Sequence, residues 1–453
     1  MSTAPLAVGQ KMEWKKSKSS GAYNALLLFT FIYYTRPEDL IPVLNHIPLE
    51  KILGGIALIA LISSLASGAL KRKLPLELKL LMLLFAHLVI SIPFAFWRGG
   101  AFVTVFERFS KTVIISFLVT MLIDQFDQLR RLLWVQAASM VVTTISSILI
   151  HHTDKGRLIG ALGGIFENPN DLAINISINW PLCLGFLLAA RGMGKKVVWG
   201  VGVVAMLLGV ILTYSRSGLL AMMMAVGICL WEFGIKGKRI QLIIAAVILG
   251  FVGLGAMFAI PHYITRVESL FKGNIQGSED HGSLEARKEV LILAVMETVH
   301  HPIFGIGAGN FGAASGTWRV THNTYMEFAA EGGLPAVFLF VAILFLAMRN
   351  INRTRSLSAY RDSSELRLFT GALWASLAAF MVGALFASFE YHLFPYYMVA
   401  YSSVLYRLAR ERSEQGTGEI VQEPVKGNIF WKRYSGEYVY AEDRTTAIDR
   451  TRR

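Results

Sequence analysis

Residues 321–333 read THNTYMEFAAEGG, and residues 334–348 continue as LPAVFLFVAILFLAM. The polar residues Asn323, Glu327 and Glu331 recur every four positions, so they share one face if the segment is a helix. Polar side chains that face lipid are costly. We therefore expect a membrane-spanning helix whose polar stripe faces protein or a wet cavity, with His322 at its mouth.

The rest of the chain has the composition of a polytopic membrane protein. Its 453 residues are 54% hydrophobic and 17% charged, with a mean hydropathy of +0.49. A soluble protein of this size carries more charge and shorter apolar runs, so we predict an all-α membrane helix bundle. The net charge of +13 is explained by Lys and Arg in the loops between spans, and it requires no nucleic acid partner.

Apolar runs long enough to cross a bilayer as a helix recur along the chain. The sequence predicts about twelve spans, at roughly 22–35, 49–69, 74–97, 101–123, 129–150, 169–190, 196–213, 216–235, 240–260, 321–348, 367–389 and 393–409. Every second loop between them is basic, which places both termini in the cytoplasm. Cys183 and Cys229 lie inside apolar runs and are interpreted as core residues.

A long loop divides the predicted spans into two groups. The predicted segments are a basic cytoplasmic leader at 1–21, spans one to nine at 22–260, a periplasmic loop at 261–320, spans ten to twelve at 321–410, and a charged cytoplasmic tail at 411–453. Long loops on a scaffold are commonly functional. Within this one we expect an interfacial helix that is capped by Ser283 and ended by Pro302. The polar chemistry is therefore predicted to face the periplasm, in the inner membrane.

Arginines on the outer side interrupt the positive-inside pattern. Arg216 lies in a tight turn between Ser215 and Ser217, and Arg157 lies in an earlier outer loop. Guanidinium groups bind phosphate oxygens in a bidentate fork, so we interpret Arg157, Arg216 and Arg287 as ligands of an anion. The alternatives are snorkelling to lipid headgroups for Arg216 and an ordinary solvated helix face for Arg287.

A second polar stripe is predicted to enter the membrane after residue 168. Asn168 is expected to cap a helix that begins at the following proline, with Asn170 and Asp171 in its first turn. Asn175 and Asn179 continue the stripe at four-residue spacing. Hydrogen bonding that only holds the bundle together is the alternative interpretation of these asparagines.

Two further patterns are interpreted as structural. Gly307, Gly309 and Gly312 have the spacing GxGxxG, but no strand–helix–strand unit surrounds them, so a dinucleotide site is not expected. A tight turn whose backbone amides help to hold an anion is the preferred interpretation. The adjacent histidines at 151–152 and 300–301 would point apart on a helix, so neither a metal nor another cofactor is predicted.

Arginines and a histidine at the outer ends of polar-striped helices suit an anionic, lipid-attached substrate. The arginines would hold a diphosphate and stabilise it as a leaving group without a metal. His322, with an ordinary pKa of about 6.5, would take a proton from an attacking hydroxyl. This combination is typical of glycosyl transfer from a lipid-diphosphate donor.

The order of these motifs resembles the O-antigen ligase and polymerase superfamily of bacterial envelope proteins, over roughly residues 156–349. The residues that carry the resemblance are Gly156-Arg157, Asn168 to Asp171, Ser215 to Gly218, Pro302 to Phe311, and His322 to Gly333. The resemblance implies that His322 and Arg216 are the essential pair, with His322 as the base and with Arg216 and Arg287 on the diphosphate. It implies an undecaprenyl-diphosphate glycan as donor and a hydroxyl of a lipid, glycan or protein as acceptor.

Several functions stay open at this point. The ligase pattern has a second glycine three residues after Gly333, where this chain has Ala336, so a polymerase or a protein-glycosylation ligase is an alternative. A transporter or flippase of lipid-linked oligosaccharide is the alternative from another class. Transporters place charges near the midplane between repeated halves, whereas here the charges gather on one face. A structural scaffold for envelope assembly would leave Arg216 and His322 unexplained.

Overall fold

The computed structural model is built almost entirely of helices. It describes residues 21–37, 49–66, 73–151, 153–154, 156–160, 166–248, 279–419, 433–434 and 437–438. In chain order the helices are α1 Gly21–Thr35, α2 Leu49–Ala66, α3 Leu76–Ser91, α4 Arg98–Val103, α5 Ser110–Leu122, α6 Phe126–Leu149, α7 Pro169–Ala189, α8 Met193–Leu212, α9 Arg216–Cys229, α10 Glu279–His300, α11 Phe311–Ala314, α12 Thr324–Arg355, α13 Ser358–Asp362, α14 Ser364–Gly383 and α15 Leu393–Glu419.

Shorter elements join or extend these helices. Residues 240–248 are also helical. A 3₁₀ turn at Ile92–Phe94 follows α3, and π-helical segments at Thr104–Phe109 and Leu230–Ile235 continue α4 into α5 and extend α9. Two antiparallel hairpins pair β1 Thr153–Asp154 with β2 Arg157–Leu158, and β3 Arg433–Tyr434 with β4 Glu437–Tyr438.

Described helices overlap each span predicted from the apolar runs, and of the span at 240–260 the structure describes residues 240–248. Within the described residues, the helices long and apolar enough to cross a membrane number 7, at Leu76–Phe94, Phe126–Leu149, Pro169–Ala189, Met193–Leu212, Arg216–Ile235, Thr324–Arg355 and Ser364–Gly383. The chain is therefore a multi-pass membrane protein, while the total of twelve spans stays a prediction. The basic leader before Gly21, the stretch 249–278 and most of the tail lie outside the described residues.

Several helix boundaries differ from the predicted spans, and those of α12 and α10 bear on the candidate site. Helix α12 begins at Thr324, three residues later than expected, because Asn323 has extended backbone angles and caps the helix from outside. The expected cap at Ser283 is wrong, because α10 already spans that residue from Glu279 onward.

Helix α7 lies at the centre of the bundle, packed against α6, α8, α9 and α14. Most of its side chains are buried, from Leu172 to Phe186. Its polar residues make contacts between helices: Gln136 Nε2 of α6 donates to Asn179 Oδ1 at 2.8 Å, and Ser177 Oγ donates to the carbonyl of Gly218 in α9 at 3.0 Å. For Asn179, the interpretation as a residue that holds the bundle together is therefore the better one.

The two ends of the bundle differ in chemistry. At one end the basic connections meet: Arg355 forms a 3.2 Å ion pair with Glu232, and Arg130 lies 3.6 Å from Glu365. The starts of α7, α9 and α12, which carry the motif residues, lie at the other end. These basic connections and the motif-bearing helix starts therefore lie at opposite ends of the bundle, while the alternation over all the loops stays a prediction. Cys183 and Cys229 are buried and unpaired, as expected for core residues.

Candidate active site

Helix α12 is interrupted where its polar outer part meets its apolar part. Gly333 has φ 72° and ψ −179°, a left-handed conformation that suits glycine. Pro335 lacks the N–H that would bond the Glu331 carbonyl, and the backbone N–H of Gly307 donates to that oxygen instead, at 2.9 Å. A broken helix inside a membrane protein needs such replacement donors. The break therefore gives the loop after α10 an edge on which to dock.

The side-chain oxygens of Glu331 also hold the loop after α10 in place. They accept hydrogen bonds from the backbone N–H groups of Gly309 at 2.6 Å and Phe311 at 2.9 Å, and from the Tyr391 hydroxyl at 2.7 Å. Gly309 adopts a φ of 72° that turns its N–H toward the carboxylate. The backbone amides of the glycine-rich turn therefore bind the carboxyl oxygens of Glu331, and a bound anion at this turn stays a prediction.

Replacing Glu331 by alanine is expected to destabilise the folded protein. The N–H group of Phe311 would lose its acceptor in a buried place, and an unsatisfied buried group costs about 1–3 kcal/mol. The N–H group of Gly309, whose bond is partly buried, would lose its acceptor as well. We expect a clearly lower midpoint of thermal unfolding in detergent. Glu289→Ala, which removes an exposed carboxylate from α10, should leave the midpoint nearly unchanged. Equal midpoints for both variants would contradict the fastening role.

The backbone around His322 is held on both sides. The Glu327 carboxylate accepts from the Thr321 backbone N–H at 3.2 Å and from its hydroxyl at 2.8 Å, and it also accepts from Ser388. Asn323 Oδ1 accepts from the second and third N–H groups of α12, both at 3.1 Å. His322 itself has a φ of 53°. Of the expected polar stripe, Asn323 is thus a helix cap, and Glu327 supports the segment that carries His322.

The electrostatic surroundings of His322 favour its neutral form. Its side chain is half-buried, and burial together with the nearby positive charge of Arg287 lowers its pKa to about 4. At neutral pH the imidazole is therefore uncharged and able to accept a proton. The charge of Arg287 acts on His322, so α10 brings this arginine near the histidine. Both residues were candidates in the sequence.

Helix α10 is docked onto the broken part of α12 through a small apolar cluster. Arg287 lies one helical turn before Val290, so both residues project from the same side of α10. The opposite face exposes apolar side chains, among them Val299, which is 70% exposed. An apolar outer face suits a helix that lies at the membrane surface. The cluster consists of Val290, Ala294, Ile306, Phe311 and Ala330.

The other two arginines lie around the turn that precedes α9. Arg157, placed by the hairpin β1–β2, donates from Nε to the Thr213 carbonyl at 3.0 Å and from Nη2 to Asn170 Oδ1 at 3.1 Å. The Ser215 hydroxyl donates to the same Asn170 oxygen at 2.7 Å. These bonds fix the turn from which Arg216 starts α9. Arg157 and Asn170 therefore hold in place the turn that precedes Arg216.

Positive ends of helix dipoles meet at this end of the bundle. Helices α7, α9 and α12 all begin here, and their caps are the side chains of Asn168, Ser215 and Asn323. Asn168 thus caps α7 as predicted. A cation such as Arg216 in the first turn of a helix is disfavoured by the helix dipole. A bound anion would relieve that repulsion and would itself be stabilised by the helix ends.

The segment that follows α14 connects the surroundings of His322 with the first turns of α7. Thr324, the first residue of α12, donates from its backbone N–H to the Ala384 carbonyl at 2.9 Å and from its hydroxyl to the Ala387 carbonyl at 2.7 Å. Gly383 in turn packs directly against Ile174 of α7. The start of α12, beside His322, and the first turns of α7 therefore lie at one end of the bundle.

Glu390 is a candidate residue that the sequence analysis did not select. Its side chain is buried, and Oε2 has no hydrogen-bond partner in the described part of the chain. Burial and the nearby carboxylates of Glu327 and Glu331, with a smaller contribution from Asp171, raise its pKa well above the ordinary value. Glu390 therefore lies near Glu327 and Glu331 of α12 and Asp171 of α7, and its surroundings favour the neutral form of its carboxyl.

A second pair was also missed. His392 is close to Arg108, and burial together with this positive charge lowers the pKa of His392 to about 4. Arg108 lies in the π-helical segment Thr104–Phe109, and such segments are frequent at functional sites. A signal was present in the sequence, because Arg108 lies within a predicted span and charged residues inside a membrane indicate functional positions.

The matched region of the chain coincides with these elements. Residues 201–341 match the family model described as O-antigen ligase. The resemblance to the O-antigen ligase superfamily is confirmed. The O-antigen ligase region includes Arg216, Arg287 and His322, while Arg157 and Glu390 lie outside it. No curated protein matches the chain.

Proposed function

We propose that this O-antigen ligase-family protein transfers a glycan from an undecaprenyl-diphosphate donor to a hydroxyl acceptor, without a metal, at the periplasmic face of the inner membrane. His322 is the proposed base, and Arg157, Arg216 and Arg287 provide positive charge for the diphosphate. Both termini are proposed to be cytoplasmic. The observation that supports the proposal is the positive charge of Arg287 near the half-buried His322, whose pKa it lowers together with burial. In the proposal, His322 accepts a proton and Arg287 binds phosphate.

The proposed reaction needs one proton acceptor and one stabilised leaving group. The acceptor hydroxyl attacks the anomeric carbon of the glycan, and its proton passes to the neutral imidazole of His322. The bond between that carbon and the diphosphate oxygen breaks, and the diphosphate leaves with the electron pair. Arg216 and Arg287, together with the helix ends beside them, stabilise the charge that develops on it.

Exposed aromatic side chains near the docked loop support a lipid-linked donor. Phe94 is 62% exposed and Trp97 is 58% exposed, and Phe94 stacks on Phe304 of the loop at 4.5 Å. Aromatic residues are typical of the boundary between membrane and water. This end of the bundle is therefore proposed to lie at the interface, where the diphosphate of a lipid carrier is also found.

The proposed function is tested with purified protein in lipid. Undecaprenyl-diphosphate oligosaccharide and candidate acceptors are added in the presence of a chelator, and release of undecaprenyl diphosphate is followed. Release that depends on an acceptor supports a transferase, and the length of the product separates a ligase from a polymerase. Movement of the intact lipid across the bilayer, with no release for any acceptor, would instead indicate a flippase.

The pH dependence of transfer should report on the pair formed by Arg287 and His322. Because neutral His322 is required, kcat/KM is expected to be constant near neutral pH and to fall as the pH drops through about 4. Arg287→Gln removes the positive neighbour, so the pKa of His322 rises and the acid limb moves to higher pH. Arg319→Gln, at an exposed position, should not move it. An unmoved limb in the Arg287 variant would contradict the pairing.

A further inference from the structure

A groove lies at the basic end of the bundle, away from the candidate active site. It has a volume of about 700 Å³ and is formed by α6, the end of α7 and the start of α8. Helix α7 has 21 residues and begins at the candidate site, so the groove is separated from that site by roughly 30 Å. It therefore belongs to the opposite membrane face.

The inner part of the groove is apolar and aromatic. Trp199 forms its centre, stacked on Phe186 at 5.0 Å and in edge contact with Trp134 at 6.1 Å. Val142 and Val198 form the outer walls and are 50% and 68% exposed. Exposed apolar walls within a membrane bundle face lipid, and a groove lined by tryptophan and valine suits acyl chains.

The rim of the groove is positively charged. Arg130, Arg191 and Lys195 line it together with one acidic residue, Glu365. Arg130 lies 3.6 Å from Glu365, whereas Arg191 and Lys195 are exposed and form no ion pair with any described residue. Two positive charges are therefore left to meet an anion at the mouth of an apolar groove.

The start of α8 adds uncompensated positive charge at the same rim. Its cap position is Gly192, which offers no side chain to the first N–H groups, and its first turn has no acidic residue. Lys195 lies in that turn, where a cation is disfavoured by the helix dipole. The unpaired N–H groups and the lysine both favour an anion beside them.

We propose that this groove binds one anionic glycerophospholipid, with the phosphodiester at Arg191 and Lys195 and the upper acyl chains on Trp199. The positive rim favours a lipid of net negative charge over a zwitterionic one, since basic pockets between membrane helices on the cytoplasmic side bind anionic headgroups. The apolar walls favour a lipid over a free phosphate, because only a lipid has acyl chains to cover them. The volume accommodates a headgroup with the first part of its chains, and the remainder extends into the bilayer.

The test compares lipids on the full-length protein in detergent by native mass spectrometry and thermal unfolding. The probes are phosphatidylglycerol, zwitterionic phosphatidylethanolamine and soluble glycerol 3-phosphate. Phosphatidylglycerol is expected to remain bound and to raise the unfolding midpoint. The double variant Arg191→Ala/Lys195→Ala should bind it at least tenfold more weakly, and Val142→Trp, which fills the groove without changing charge, should weaken it as well.

The control removes the same charge elsewhere at the same end of the bundle. Arg353→Ala/Arg361→Ala changes two exposed arginines outside the groove and should bind phosphatidylglycerol like the original chain. Equal losses in both double variants would mean diffuse attraction and would overturn the site. Equal binding of phosphatidylethanolamine, or binding of glycerol 3-phosphate as tight as that of the lipid, would overturn the proposed ligand.

Discussion

Replacing His322 by alanine is expected to lower the rate of glycan transfer by about 100- to 10,000-fold, the usual contribution of a general base. The residue is neutral because burial and Arg287 lower its pKa to about 4, so it can accept the acceptor's proton throughout the neutral range. Donor binding should change little, since the imidazole is not a proposed ligand of the diphosphate. The measurement is acceptor-dependent release of undecaprenyl diphosphate, with donor binding followed separately.

The backbone at this position calls for a second variant. His322 has a φ of 53°, a region in which alanine is strained but asparagine is tolerated. His322→Asn therefore keeps the local conformation while removing the base, and it should be as inactive as His322→Ala with an unchanged unfolding midpoint. His301→Ala, at an exposed histidine, should retain full activity. Glycan transfer at the original rate by the asparagine variant would contradict the assignment of His322 as the base.

Replacing Arg216 by lysine is expected to lower transfer by roughly 100- to 1,000-fold, the size of effect seen when one preorganised charge-stabilising donor is lost. A lysine keeps the positive charge but cannot grip two phosphate oxygens in a planar fork. Arg216 begins α9 behind a turn that Arg157 and Asn170 brace, so its position is fixed before substrate arrives. A lysine at this position has no comparable geometry.

The matched control is Arg319→Lys, at an exposed arginine of the same outer region, which should transfer glycan at the original rate. The steady-state constants distinguish the possible roles of Arg216. Loss in kcat with little change in donor binding indicates stabilisation of the leaving diphosphate in the transition state. Full activity of Arg216→Lys would show that positive charge alone is sufficient, and the bidentate role would then be wrong.

Much of the bundle was predictable because hydropathy and capping are local properties. The apolar runs have helices at their positions, and the asparagine before Pro169 caps α7 because that motif needs only neighbouring residues. The cap predicted at Ser283 was wrong, because the helix already includes that residue from Glu279 onward. The O-antigen ligase resemblance likewise followed from the order of short motifs.

Contacts between distant parts of the chain could not be predicted in this way. The sequence suggested that Glu331 shares a stripe with Asn323, but its oxygens bind Gly309, Phe311 and Tyr391. The unpartnered carboxyl oxygen of Glu390 depends on burial by several helices. Neither arrangement has a signal in the spacing of residues along one helix.

Apolar length and charge placement are properties of short segments, so the sequence was sufficient to predict a helical membrane protein with Arg216 and His322 among its candidate site residues. Tertiary structure alone decided that α12 breaks at Gly333, that the glycine-rich loop closes on Glu331, and that the Arg287 charge acts on His322. Each of these depends on which buried polar group finds a partner, and in a low-dielectric interior that partner is supplied by a distant segment.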